Sequence, residues 1–341
     1  MRTDIFDYDL PRALIAQDPL PERDASRLLV LERATGRISH RVFRDLPELL
    51  APGDCLALNT TRVFHGRLKG RKARTGGSVE LLLLEDRGES VFKAMARGAS
   101  LRPGIRVLLG DGTLEATVTD GLESGVVTVE FNKRGEELNR AIAEQGEMPL
   151  PPYITHELAD AERYQTVYAE REMSAAAPTA GLHFTDALLE RVRRAGLTIA
   201  GLELAVGMDT FVPVRARMVE DHSMHKEWFS LDEAAARAVN EARRKTGRVV
   251  AVGTTSVRAL ESCAAESRLV TPGEGCTDLF ITPGYRFKIV DAIITNFHLP
   301  RTTLLMMVCA FGGIEPVQSA YEEAIREGYR FYSFGDAMLI Q

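Results

Sequence analysis

Residues 248–262, RVVAVGTTSVRALES, narrow the folds open to this chain more than any other stretch. Val249, Val250, Ala251 and Val252 form an apolar, β-branched run of strand length. Gly253 ends it. Thr254, Thr255 and Ser256 follow, each of a residue type that caps helix N-termini. Val257 and Leu260, three apart, share one face of the helix that would come next. A buried strand, a glycine turn and a hydroxyl-lined helix start gather unpaired backbone N–H groups and the positive end of a helix dipole at one spot. Arg258 falls in the first turn, where a cation opposes that dipole. A ligand or carboxylate partner explains it better than helix stability does. The plain alternative is an ordinary strand-to-helix connection.

The 341 residues exceed the comfortable size of a single core, so two domains are expected. Residues 27–31 and 38–43, joined by the turn at 34–37, read as a hairpin. A short buried strand at 55–58 runs into Asn59, Thr60, Thr61 and Arg62. From 62 the texture changes. Short strands are expected at 79–84, 91–96, 105–109, 113–119 and 125–131, with Asp111-Gly112 and Asp120-Gly121 as turns. Such regular short strands predict a small β-barrel. After 150, helices and strands alternate. Thr185 caps a helix carrying Leu188, Leu189 and Val192, which Gly196 stops. A strand follows at 197–206, a capping box at Ser230 and Glu233, a buried strand at 291–295, and a second box at Ser319 and Glu322 with Gly328 as its stop. The expectation is a mixed α/β, barrel-like domain of residues 1–61 and 150–341, with a small β-barrel of residues 62–149 inserted into it.

With 45% apolar and 26% charged residues the composition is that of a soluble globular protein. The longest apolar run, 304–311, is far short of the roughly 20 residues needed to span a bilayer. The first residues, MRTDIFD, do not read as a signal peptide. Cys55, Cys263, Cys276 and Cys309 lack metal-type spacing, so reduced thiols in a cytoplasmic protein are expected, with no membrane partner. The net charge of −6 argues against a surface that is basic all over but leaves room for a local basic patch.

Four constellations carry chemistry. The first is Arg62, Arg67, Lys69, Arg71, Lys72 and Arg74, with no acid before Glu80. On a strand, Arg67, Lys69 and Arg71 share a face and suit a phosphate backbone; the alternative is a solvated, charge-protected edge strand. The second is PTAGLHFT at 178–185, where small residues precede His183, a general-base candidate or a packed structural histidine. The third is His222, His225 and Glu227, whose i, i+3 histidine spacing in a loop-like stretch fits a polar substrate loop better than a zinc site. The fourth places Asn296 and His298 just beyond a buried strand, as Thr254, Thr255 and Ser256 lie beyond theirs. There is no Walker loop, no G-x-G-x-x-G and no G-x-S-x-G.

In order along nearly the whole chain, PLPERDASRLL at 19–29, LNTTRV at 58–63, GEMPLPPY at 146–153, RYQTVY at 163–168, APTAGLHF at 177–184, HSMHKE at 222–227, VGTTSVRALES at 252–262, TNFHLP at 295–300 and FGDAML at 334–339 resemble the S-adenosylmethionine:tRNA ribosyltransferase-isomerases of queuosine synthesis. Each piece alone is weak, and the set is specific. The resemblance implies a mixed α/β fold with an inserted β-barrel. It implies transfer and isomerisation of the ribosyl part of S-adenosylmethionine onto the 7-aminomethyl-7-deazaguanine of a tRNA with a G-U-N anticodon, giving epoxyqueuosine, adenine and methionine. S-adenosylmethionine is then a co-substrate; no metal is called for, and the chain is taken as a monomer.

Set against that chemistry, His183 and His298 are the acid/base candidates. Asp336 and Glu227 are candidates to hold the sulfonium or the amine. Thr254, Thr255, Ser256, Arg258 and Asn296 would contact ribose hydroxyls or the methionine carboxylate. Arg62, Arg67, Lys69 and Arg71 would grip the anticodon stem-loop. Three positions depart from the family pattern: Ala205 stands where histidine is expected, and Asp209 and Met173 where glycine is. Glu203 or Asp209 would supply a replacement carboxylate. These departures motivate the rival reading of a catalytically altered tRNA-binding protein; His222, His225 and Glu227 motivate a metal-dependent hydrolase. On the enzymatic reading, His298→Ala abolishes turnover while tRNA binding persists, and normal turnover by that variant in an adenine-release assay would remove His298 from the chemistry.

Overall fold

The computed structural model describes residues 1–123, 125–207 and 213–341. In chain order the strands and helices begin with β1 (Arg27–Glu32), β2 (Arg37–Val42), α1 (Leu46–Leu49), β3 (Cys55–Asn59) and β4 (Thr61–Val63). Next come β5 (Arg67–Lys72), β6 (Ser78–Asp86), β7 (Val91–Arg97), β8 (Arg106–Leu109), β9 (Leu114–Glu123), β10 (Val126–Phe131) and α2 (Gly135–Gln145). Then follow β11 (Arg171–Ser174), α3 (Asp186–Arg194), β12 (Thr198–Leu204), β13 (Glu227–Leu231), α4 (Glu233–Arg244), β14 (Val249–Val252), α5 (Thr254–Ser262) and β15 (Gly273–Thr277). The chain closes with β16 (Ala292–Asn296), α6 (Thr303–Gly312), α7 (Ile314–Arg326) and β17 (Ala337–Ile340).

These elements divide into two compact units, one of Met1–Arg62, Pro151–Arg171 and Ala177–Gln341, the other of Val63–Leu150 and Glu172–Ala176. The fold is the expected mixed α/β arrangement with a small closed β-barrel. Among the described residues of the larger unit, nine strands form one sheet in the order β15-β13-β12-β3-β14-β16-β17-β1-β2. Its central strands, Cys55 to Asn59, Val249 to Val252 and Ala292 to Asn296, are buried at every position and apolar except at Asn59, Thr295 and Asn296 near their carboxyl ends. Strands that alternate faces yet bury every residue must be covered on both sides. On one face Leu188, Leu189 and Val192 of α3 pack with Leu56, Leu58, Val250 and Val252. Each of these α3 side chains contributes about 1.5–3 kcal/mol by leaving water. Thr185 caps α3 by accepting the Leu188 N–H at 3.1 Å, and Gly196 ends that segment with φ +85°.

Three helix starts differ from the sequence expectation. Gly253, with φ +86°, occupies the cap position of α5, so Thr254, Thr255 and Ser256 lie inside its first turn. Asp232, not Ser230, caps α4 through the Ala235 N–H at 2.7 Å, because Ser230 is committed to strand β13. Ser319 and Glu322 sit within α7, which begins at Ile314 after the Gly313 cap that also ends α6. The pair α6 and α7 is bent by 114°, and no single helix among the described residues is long and apolar enough to cross a membrane.

In the smaller unit, among the described residues, β10-β7-β6-β5-β8-β9 close into a barrel. Helix α2, absent from the sequence reading, buries Leu138, Ala141 and Ile142 with the barrel side chains Leu68, Val79 and Val107. Strand β5 lies between β6 and β8, so it is not an edge strand.

The starts of three sheet strands are tied by carboxylates. Asp54, just before β3, accepts the Arg248 backbone N–H at 2.8 Å and its guanidinium at 2.7 and 3.0 Å. Asp291, just before β16, accepts the Val249 N–H at 2.9 Å and Arg243 Nη1 at 3.2 Å. These contacts hold Asp54 below the usual carboxylate range, its bonds to Arg248 and to the Ala51 and Arg248 N–H groups outweighing its burial. Asp54→Asn leaves the part-exposed Arg248 guanidinium without its counter-charge and is expected to cost about 1.5 kcal/mol of stability; a urea-unfolding loss below about 0.5 kcal/mol would contradict a structural role for the pair.

Candidate functional site

Strands β12, β3, β14 and β16 are adjacent and parallel, so their carboxyl ends reach one rim of the sheet. Ligands in open α/β sheets bind beyond such ends. A pocket partly open to solvent lies there. Val206 enters it from β12, Gly253, Thr254 and Thr255 from β14, and Thr295, Asn296, Phe297 and His298 from β16. Residues 177–180, Leu299, Thr302 and Leu304, and the Tyr153, Tyr332 and Ser333 cluster complete the wall. Among the described residues no Asp, Glu, Lys or Arg lines it. The first N–H groups of α5 have no partner within the helix, and the dipole adds positive potential at the same place. Asn59, at the end of β3, donates to Leu204 O at 2.9 Å and to Thr255 Oγ1 at 3.3 Å, tying three strand ends together.

Asn296 is the polar hub. Its Nδ2 donates to Tyr332 O at 3.1 Å, and its Oδ1 accepts from Thr179 Oγ1 at 2.8 Å. With the amide oriented by that carbonyl, the same Nδ2 donates to His183 Nε2 at 3.2 Å. His183 therefore carries its proton on Nδ1 and donates it to Ser26 Oγ at 2.7 Å. The ring also stacks on Phe43, with centroids 4.9 Å apart. Burial, with Arg330 and Arg23 nearby, pushes the His183 pKa down to about 3. His183 thus stands behind Asn296 as a neutral support.

His298 faces the cavity directly. Its Nε2 shares a hydrogen bond of 2.7 Å with Thr295 Oγ1. Its backbone is held by two phenols: the N–H donates to Tyr321 Oη at 3.0 Å, and the Tyr8 hydroxyl donates to the carbonyl. The Tyr8 and Tyr321 rings meet edge to face at 5.2 Å. Burial lowers this histidine to about 3 as well.

Other sequence candidates lie elsewhere. Glu227 and Arg258 form a buried ion pair; Arg258 also donates to Thr277 O and Leu279 O, each at 3.2 Å, and Glu227 accepts the Gly207 N–H at 3.1 Å. Burial lowers Arg258 to about 10, still charged at neutral pH. Asp336 accepts the Arg27 and Arg330 N–H groups, both at 2.8 Å, and burial raises its pKa. Ser256 turns back to donate to Val252 O at 2.7 Å. None of these four lines the cavity. His222 packs its ring on Phe280, and among the described residues no group of three or more His, Cys, Asp or Glu could hold a metal. Of the basic run, Arg62 pairs with Glu162, Arg67 with Glu80 at 3.0 Å and Lys69 with Glu147 at 2.7 Å, while Arg71 is exposed. Ala205 extends the β12 pairing by donating its N–H to Trp228 O at 2.9 Å, Glu203 meets Arg171 at 3.6 Å, and Met173 lies in β11. Asp209 is outside the described residues.

Sequence reasoning passed over Ser26, Thr179, Tyr153, Ser333, Tyr8 and Tyr321. Ser26 and His183 are 157 residues apart, and Tyr8 and His298 are 290 apart, so no local spacing reports either contact.

Over residues 3–340 the sequence matches the family described as queuosine biosynthesis protein. It is 52% identical to the S-adenosylmethionine:tRNA ribosyltransferase-isomerase of Symbiobacterium thermophilum and 50% identical to that of Halothermothrix orenii, covering 100% of both chains in each case. Among solved structures, the S-adenosylmethionine tRNA ribosyltransferase of Thermotoga maritima is similar at 39% identity and a TM-score of 0.56, over 99% of this chain and 100% of that one.

The two buried histidines make stability pH-dependent. Below about pH 6.5 the unfolded chain protonates both while the folded protein protonates neither, until pH nears 3. Stability should therefore fall by about 1.4 kcal/mol per histidine for each pH unit below that point. Urea midpoints at pH 7 and pH 5 read this, and equal midpoints would mean that the rings accept protons in the fold.

Proposed function

The chain belongs to the queuosine biosynthesis family as an S-adenosylmethionine:tRNA ribosyltransferase-isomerase, and on that footing we propose that the cavity at the ends of β12, β3, β14 and β16 is where S-adenosylmethionine gives up its ribosyl group. The acceptor is the 7-aminomethyl-7-deazaguanine base of a tRNA with a G-U-N anticodon. Adenine and methionine leave, the methyl group stays with methionine, and the product is epoxyqueuosine-tRNA. The reaction belongs in the cytoplasm, and a single chain carries it out.

The observation that carries this reading is the uncharged lining of the cavity. A sulfonium cation placed there loses water and gains no counter-ion. Removing a proton from the carbon beside sulfur gives a species with no net charge at that centre, and desolvation favours the less charged form. A carboxylate in the wall would stabilise the cation and oppose that step. The same absence of acids keeps an attacking amine neutral, hence nucleophilic.

Roles follow from position. The N–H groups at the start of α5, with Thr254 and Thr255, take the methionine carboxylate. Arg258 is engaged by Glu227, so that task falls to the helix start, and the ion pair braces α5 from behind. Tyr153 and Tyr332, with ring centroids 4.8 Å apart, offer adenine an aromatic wall. His298, held at Nε2 by Thr295, faces the cavity; burial holds its pKa near 3, so it does not keep the proton taken from the carbon beside sulfur but passes it to the departing adenine. Asn296, fixed by Thr179, Tyr332 and His183, meets the ribose hydroxyls.

The test is incubation with S-adenosylmethionine and tRNA bearing the precursor base. Adenine and methionine are expected in equal amounts, with the epoxy-cyclopentanediol adduct found on tRNA by mass spectrometry and no label transferred from methyl-labelled donor. Methyl transfer to tRNA, or adenine release without an adduct, would refute the reading.

A further inference from the structure

The cations of the smaller unit are sorted by the fold into two sets. Arg67 and Lys69 are neutralised by Glu80 and Glu147, and Lys93 lies 3.4 Å from Glu85. A second set lies on two segments that contain no acid: residues 70–79 carry Arg71, Lys72 and Arg74, and residues 97–106 carry Arg97, Arg102 and Arg106. The barrel brings these segments together. Arg71 stands opposite Ser78 on one side and Leu108 on the other. The Ala73 N–H donates to Arg106 O at 2.9 Å, and the Lys72 ammonium donates to Ala99 O. A Cβ on Gly98 would come within 3.1 Å of Ser78 O, so the 97–106 loop packs against the β5–β6 turn.

Within this region Arg106 pairs with Glu115. Arg97 stands across from Glu80, whose carboxylate is taken by Arg67. Asp120 turns its carboxylate onto the Gly121 N–H. Arg71, Arg74, Arg97 and Arg102 are exposed and make no ion pair among the described residues. Adjacent strands are about 5 Å apart, so Arg71 and Arg97, two strands apart, span about 10 Å across the sheet. Four exposed guanidiniums on these two adjoining segments, on a chain of net charge −6, form a local positive pole.

We propose that this pole, Arg71, Arg74, Arg97 and Arg102 at one end of the barrel, holds the sugar–phosphate backbone of the substrate RNA. The proposal rests on the tRNA-modifying reading above and deepens it. Guanidiniums fit phosphate oxygens in bidentate geometry, and a polyanion repays several unpaired cations at once. Arg67 and Lys69 already have carboxylates and contribute little. The contact is to backbone, so it positions the RNA without reading its sequence.

The test compares wild-type protein with a fourfold variant, Arg71→Ala, Arg74→Ala, Arg97→Ala and Arg102→Ala, using an unmodified tRNA transcript as the binding probe. Each lost phosphate contact lowers the slope of log affinity against log salt by about 0.9. The variant should lose about 3.6 from that slope and bind at least about tenfold more weakly near 0.1 M salt. With precursor-bearing tRNA, its KM for tRNA should rise while kcat at saturation stays at the wild-type value. Lysine at all four positions should restore the slope, which separates lost charge from lost structure. An unchanged slope and KM in the alanine variant, or the same loss from Arg67→Ala with Lys69→Ala instead, overturns the proposal. If the wild type fails to release adenine, the functional reading falls, and the transcript-binding slopes still decide the pole. Loss of binding to phosphatidylserine vesicles with an unchanged tRNA slope would assign the pole to lipid and also overturn it.

Discussion

The larger unit depends on a single alignment: β3, β14 and β16 must start level with one another. Side chains alternate along a strand, so a slip of one residue would turn every buried side chain to the wrong face. Asp54 and Asp291 prevent that slip by accepting the backbone N–H groups of Arg248 and Val249, while Arg248 and Arg243 supply the counter-charges. Because the strands are parallel and start level, they also end level. Asn59, Gly253 and Asn296 arrive at the same rim for the same reason. The site is set by a clamp at the opposite edge of the sheet.

At that rim the pocket is lined and backed by neutral groups. His183 and His298 are uncharged, Asn296 has each of its polar atoms assigned, and the charged pair Glu227–Arg258 is kept out of the wall. Buried polar groups are tolerated when their bonds are satisfied, and a satisfied network also fixes tautomers and rotamers. The cavity therefore combines low polarity with definite orientation. Both suit a reaction in which a cation must surrender a proton and a neutral amine must attack.

Much of the fold was legible because its signals are local. The β1–β2 hairpin, the Thr185 cap with its Leu188, Leu189 and Val192 stripe, and the strand–Gly253–helix turn each follow from residues within a few positions of one another. Misreadings arose where two local signals competed. Ser230 has a capping residue's chemistry but lies in a strand paired with β12 and β15. Ser319 and Glu322 have a capping box's spacing inside a continuing helix. The Leu138, Ala141 and Ile142 period of α2 was present and was outweighed by the strand-rich text around it. The site was legible only in part. Thr254, Thr255, Asn296 and His298 announce themselves by lying after strands, whereas Ser26, Tyr8, Tyr321 and the Glu227–Arg258 pairing depend on contacts across long sequence distances.

The place of β17 has a consequence for how the chain is made. Residues 337–340 lie between β16 and β1, pairing with Ile293 and Ile294 on one side and Leu28 to Leu31 on the other. They are synthesised after every other strand of the nine. Until they emerge from the ribosome, the β1–β2 hairpin, among the first segments made, has no partner through which to join the sheet. The six barrel strands are contiguous in sequence and face no such wait. Once residue 150 has been made, a nascent chain has every barrel strand, while the sheet of the larger unit stays incomplete until the last strand is added.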